Sequence, residues 1–239
     1  MHGAPRLAER MSYSKTIVCL ANSRKYAGRC IAGKEVLAGA YGRWVRPVSV
    51  RPTGEISEEE RRYRRGREPE VLDIVEIPMM RPAPMLFQTE NHVIDAGRHW
   101  RKTGEMPVQD LARLVDHPAT LWLNGDSTCN GLNDRVKEDA AKNFDTSLCL
   151  IEPERLTICV QVEGAGVRGS FGQRRVRAHF EYSGVPYILA VTDPITERAF
   201  LRKANGDYVL ASAMMCVSLG EPYTDGYCYK LVAAIIEIS

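Results

Sequence analysis

A chain of 239 residues has room for one large or two small domains, each with its own core. Hydrophobic residues make up 44% and charged residues 26%, an ordinary globular balance, and no apolar run reaches the roughly eighteen residues that a membrane helix needs. The net charge of +2 conceals an asymmetry: residues 1–120 carry 20 Lys and Arg against 15 Asp and Glu, and residues 124–239 carry 12 against 15, so an anionic partner is expected at the N-terminal half.

The N-terminus has no h-region, which favours a cytoplasmic protein over a secreted one. Residues 1–11 read as an upstream extension, because the first periodic segment begins at Lys15. Residues 15–21 (KTIVCLA) predict a buried strand, 22–28 (NSRKYAG) a basic connection, and 29–37 a second strand. Residues 43–50 (RWVRPVSV) predict a third, at a sheet edge because Pro47 cannot donate to a ladder. Residues 52–70 form a charge-rich insertion whose Ser57-Glu58-Glu59-Glu60 is a good helix start. Residues 71–77 return to strand, 78–84 are interrupted by proline, and 92–100 are ambiguous between strand and loop. Residues 107–115 predict a short amphipathic helix and 134–141 another.

The C-terminal part is the most legible. Residues 156–163, 174–182 and 185–191 predict three strands, the last two joined through Ser183-Gly184, a hairpin signal. Thr192-Asp193-Pro194 predicts a helix N-cap with Pro at the first helical position. Residues 208–218 and 227–238 supply two further strands. Three strands, a helix and two strands is the order of an OB-fold. The N-terminal half opens with the same order. The expected fold is therefore mainly β: two OB-like five-stranded Greek-key barrels with short helices and a charged helical insertion. The domains are expected at residues 12–123 and 153–239, with 124–152 as a linker and helix.

Two stretches carry a resemblance. CLANSRKYAGRCIAG (residues 19–33) with GRWVRPVS (42–49), and CVSLGEPYTDGYCYKLVAAII (216–236), resemble the opening and the close of bacterial dual OB-containing domain proteins. The resemblance implies two OB-like barrels and a nucleic-acid-binding role in defence against mobile elements.

Two phosphate-loop strings are weighed and set aside. Residues 28–34 fit GxxxxGK, but Glu35 stands where a P-loop needs Ser or Thr for magnesium, so a strand with glycines at a barrel bend is expected. Residues 164–169 fit GxGxxG, but period-two alternation follows in place of a helix, as in a loop between the first two strands of a barrel. Seven cysteines are spaced too widely for a zinc ribbon or disulfide framework, and free thiols are expected. No HxH or HExxH spacing is present. No cofactor, metal or catalytic residue is assigned.

Phosphates require positive charge, and unstacked bases require a flat π-face. Two groups combine the two. The first is Asn22, Ser23, Arg24, Lys25, Tyr26, Arg29, Arg43, Trp44 and Arg46; the second is Arg168, Phe171, Arg174, Arg175 and Arg177. The expected partner is single-stranded or structured DNA or RNA, bound mainly at the first group. The alternatives are a metal-dependent nuclease or nucleic-acid-modifying enzyme at the interdomain cleft, and an adaptor for a protein partner or small ligand.

Overall fold

The computed structural model describes residues 12–165 and 171–238. The first barrel is built from β1 (Tyr13–Lys25), β2 (Gly28–Leu37), β3 (Ala40–Val48), the one-turn helix α1 (Glu58–Arg61), β4 (Asp73–Pro82) and β5 (Asn91–Ile94). β1 pairs antiparallel with both β2 and β4, β2 with β3, and β4 with β5, while β3 and β5 run parallel. The sheet thus closes in the order β1-β2-β3-β5-β4 and back to β1. That is OB connectivity. β6 (Arg101–Glu105) adds to the outer edge of β4.

Alternation explains the interior. Ile17 and Cys19 of β1 point inward onto Ile31, Val45, Val75, Ile77 and Trp100. Gly33 is required where β2 crosses β1, because a Cβ there would lie 1.9 Å from the Val18 carbonyl oxygen. The GxxxxGK string therefore lies inside a strand. α1 is started by a capping box between Ser57 and Glu60. β3 is not the expected edge strand: it lies between β2 and β5, and Pro47 is tolerated because the β2 ladder ends at Val45 while residues 46–48 pair with β5. The proline-interrupted stretch is also more regular than expected, since β4 continues to Pro82.

A 3₁₀ helix (Val108–Leu114) follows the first barrel. Residues 134–141 divide into a strand, β7 (Arg135–Lys137), and a single turn, α2 (Glu138–Ala141). β8 (Leu148–Ile151) comes next, and β7 and β8 both join the second sheet.

The second barrel repeats the first with β9 (Glu154–Ala165), β10 (Phe171–Tyr182), β11 (Val185–Val191), α3 (Pro194–Leu201), β12 (Gly206–Val209), β13 (Ala213–Pro222) and β14 (Tyr227–Glu237). β10 and β11 turn through Ser183 and Gly184, both at positive φ, as a two-residue hairpin requires. β11 and β14 are parallel. The predicted fourth strand is broken at residues 210–212, so β12 closes onto β9 while β13 pairs with β14. α3 begins at an Asp193 N-cap with Pro194 behind it, where the sequence placed it.

The barrels share an apolar layer. Val18 and Leu20, the outward set of β1, meet Met214, Cys216, Ala233, Ala234 and Ile236 of the second barrel, with Leu111, Leu114, Leu148 and Leu150 between them. Each fully buried Leu or Ile contributes about 1.5–3 kcal/mol, so this layer fixes one barrel on the other. β8 is the pivot: Leu148 and Leu150 face that layer, and Cys149 and Ile151 face the core of the second barrel.

Candidate functional site

A groove of about 780 Å³ opens on the β2–β3 face of the first barrel, closed on its far side by residues 116–118 and 145–149. Because Val45 points into the barrel, its neighbours Trp44 and Arg46 point out. Lys34 lies directly opposite Trp44 in the β2–β3 ladder, and its ammonium is 5.6 Å from the indole ring. These two residues give the groove a π-face and a cation side by side.

Asp116 organises the wall. It accepts from Lys34 Nζ at 2.5 Å, Trp44 Nε1 at 3.0 Å and the Leu150 amide at 2.9 Å, tying β2, β3 and β8 together. At the rim Lys15 is paired with Glu35 at 2.7 Å, and the Tyr13 hydroxyl lies 2.6 Å from His92 Nδ1. Burial, and then the charge of Lys15, holds the His92 imidazole below its ordinary pKa, so the ring is neutral at pH 7. Arg43 and His117 are exposed on the lining and have no hydrogen-bond or ion-pair partner among the described residues. Trp44 is half-buried and also packs on the layer between the barrels, and Lys34 is already held by Asp116, so Arg43 is the cation of the groove that is open to an anionic group. Cys149 lines it too, but burial pushes its thiol far above the range of a nucleophile. Among the described residues, no three of His, Cys, Asp and Glu converge as metal ligands.

The predicted contact residues fall in three places. Arg43 and Trp44 meet in the groove. Arg46, predicted beside them, is instead buried with 3% exposure against Glu90 at 3.3 Å, and its head is withdrawn from any ligand. Asn22, Ser23, Arg24, Lys25, Tyr26 and Arg29 belong to the β1–β2 hairpin, which rests on the second barrel. Asn22 donates to the Pro69 carbonyl at 2.7 Å, and Ser23 is buried against the Cys30 carbonyl at 3.4 Å. Arg24 is paired with Glu197, and Lys25 with Glu221 at 2.6 Å. Tyr26 is exposed at the hairpin tip, and Arg29 is half-buried.

The second group is dispersed by internal partners. Arg174 donates to Leu201 O at 2.8 Å, Lys203 O at 2.6 Å and Asn205 Oδ1 at 2.8 Å, closing the C-terminal end of α3. Arg177 is held by both oxygens of Glu163 at 2.6 and 2.9 Å. Of the described members, only Phe171, which is 99% exposed, and Arg175 face solvent. Arg168 lies outside the described residues. Lys15, Lys34, Asp116 and His117 were not predicted as site residues. Lys34 and Asp116 are 82 positions apart, and neither carries a local signal of the contact.

Among known proteins, no curated protein and no solved structure matches this chain. The family model described as "Dual OB-containing domain" matches residues 15–235, from the start of the first barrel to the last strand of the second. With two sheets of OB connectivity in register with that match, the chain belongs to the dual OB-containing domain family.

Proposed function

We propose that the protein binds single-stranded or structured nucleic acid, with a base against Trp44 and a backbone phosphate held by Arg43. The observation that supports this reading is the meeting of an indole, an unpartnered guanidinium and an ammonium on the β2–β3 face of an OB barrel, the face that such barrels commonly use for oligonucleotides. The net positive charge of residues 1–120 adds a long-range attraction on the same side of the molecule. Base stacking and phosphate neutralisation need no catalytic group.

A fluorescently labelled single strand titrated at several salt concentrations tests the proposal. Affinity falls with salt at a log–log slope of about −0.7 per phosphate neutralised. Trp44→Ala weakens binding by about 1–3 kcal/mol if one base stacks there. Arg43→Ala flattens the slope by about one phosphate contact. No binding at low salt, or binding indifferent to salt, overturns it.

A further inference from the structure

The β1–β2 hairpin poses an electrostatic problem that the chain does not solve internally. Arg24 and Arg29 stand directly opposite each other in its ladder, an arrangement that repels. The hairpin cannot splay to relieve this, because the Arg24 amide donates to the Thr192 carbonyl of the second barrel at 2.9 Å. Arg29 is fixed as well: its amide and carbonyl both bond to Ile56 at 2.9 Å. Arg61 donates to that same Ile56 carbonyl at 3.1 Å, bringing a third guanidinium alongside. Arg198 of α3 follows the Glu197 that holds Arg24; it is exposed, and its charge acts on Arg29.

The nearby carboxylates are already engaged. Glu197 holds Arg24, Glu68 holds Arg61 at 2.7 Å, and Glu221 holds Lys25 at 2.6 Å. Glu55 accepts from the Thr53 hydroxyl. The guanidinium groups of Arg29 and Arg198 are left with no hydrogen-bond or ion-pair partner among the described residues, although Arg29 is half-buried. No Arg29 guanidinium nitrogen is sealed from solvent, so an acceptor from outside can reach it. Burial, then the charge of Arg61, with smaller contributions from Arg24 and Arg198, presses the Arg29 pKa below its ordinary value against an opposing pull from Glu68.

We infer that Arg29 and Arg198, with Arg24 beside them, form a site for a phosphoryl group at the junction of the two barrels. A phosphoryl group offers several acceptor oxygens and enough charge to answer two guanidinium forks at once. Its position between a hairpin of one barrel and the helix of the other makes it a clamp across the junction. Tyr26, 68% exposed at the hairpin tip, provides a ring at its rim. The site shares no residue with the groove around Trp44 and does not depend on that groove binding anything.

The phosphoryl group can belong to a polynucleotide backbone or to a free phosphorylated ligand, and the test separates the two. Thermal unfolding of the full chain is followed in chloride, inorganic phosphate and pyrophosphate at one ionic strength. The wild type gains Tm in phosphate and more in pyrophosphate; Arg29→Gln and Arg198→Gln each weaken the anion's apparent affinity by about tenfold. In chloride alone Arg29→Gln is at least as stable as the wild type, since it removes the repulsion with Arg24. No gain over chloride, or a gain kept in full by both variants, overturns the site. With the site established, a labelled single strand that binds Arg29→Gln more weakly identifies a polynucleotide backbone as the source, and unchanged binding identifies a free phosphorylated ligand. Trp44→Ala leaves the phosphate-dependent Tm gain intact, so failure of the groove and failure of the clamp read out separately.

Discussion

Arg46 and Glu90 face each other at 3.3 Å behind the groove, both almost sealed from solvent, and their residues are also joined by a backbone bond from Arg46 N to Glu90 O at 2.8 Å. Ser147 of the connecting segment donates to the same carboxylate. The pair therefore links β3, the start of β5 and the entry to β8. Arg46 Nε and Glu90 Oε2 have no partner, so the network is only partly satisfied.

Removing one member of this pair strands the other charge. Glu90→Ala is expected to lower stability by about 3–5 kcal/mol in urea unfolding, whereas the double replacement Arg46→Met with Glu90→Leu keeps most of it. Equal losses in the single and double variants would contradict this account of the pair.

Two adjacent arginines of β10 differ in what they do. Arg174→Ala removes three hydrogen bonds at the end of α3 and is expected to cost about 1–3 kcal/mol of stability. Arg175→Ala, on an exposed side chain, stays within about 0.5 kcal/mol. Loss of oligonucleotide binding after changing both together therefore says little about contact; Arg175→Ala alone is the informative variant.

Lys230 is buried in β14, donating to Leu123 O at 2.6 Å and Asn124 Oδ1 at 3.0 Å, with its ammonium 5.2 Å from the Tyr187 ring centroid. Burial lowers its pKa to about 8, against an opposing pull from Asp134. Between pH 8 and the ordinary lysine value of 10.5 the unfolded chain holds this proton and the folded chain does not, so stability attributable to this group rises with pH across that window. The stability of the wild type relative to Lys230→Met should climb there, by at most about 1.4 kcal/mol per pH unit. A flat difference would mean that burial does not lower the Lys230 pKa.

The thiols divide by exposure. Cys129 is exposed and Cys30 is half-buried, while Cys19, Cys149, Cys159, Cys216 and Cys228 are buried. Burial pushes Cys19 up to about 12 and Cys159 and Cys228 to about 11. A thiol reagent at pH 8 should modify Cys129 at once and Cys30 more slowly, with the other five reacting only after unfolding. Fast reaction of more than two would show that the cores are open.

The sequence by itself determined the first four strands of the first barrel, the strand-strand-strand-helix-strand-strand order of the second, the place of α3 with its Asp193-Pro194 start, and the strand nature of the GxxxxGK string. Each of these is written in local signals, an alternation, a cap or a turn, that neighbouring residues are enough to express. The break between β12 and β13 was not legible, because the apolar run through residues 208–218 stays continuous while its pairing partner changes. The candidate site was legible only in residue type. Whether an arginine binds a ligand depends on whether the fold brings a carboxylate or a carbonyl to it first. Arg46 meets Glu90, Arg177 meets Glu163, and Arg24 meets Glu197 from 173 positions away. The guanidinium groups of Arg43 and Arg29 meet no acceptor among the described residues. That sorting is made by long-range contacts, and only the tertiary structure decided it.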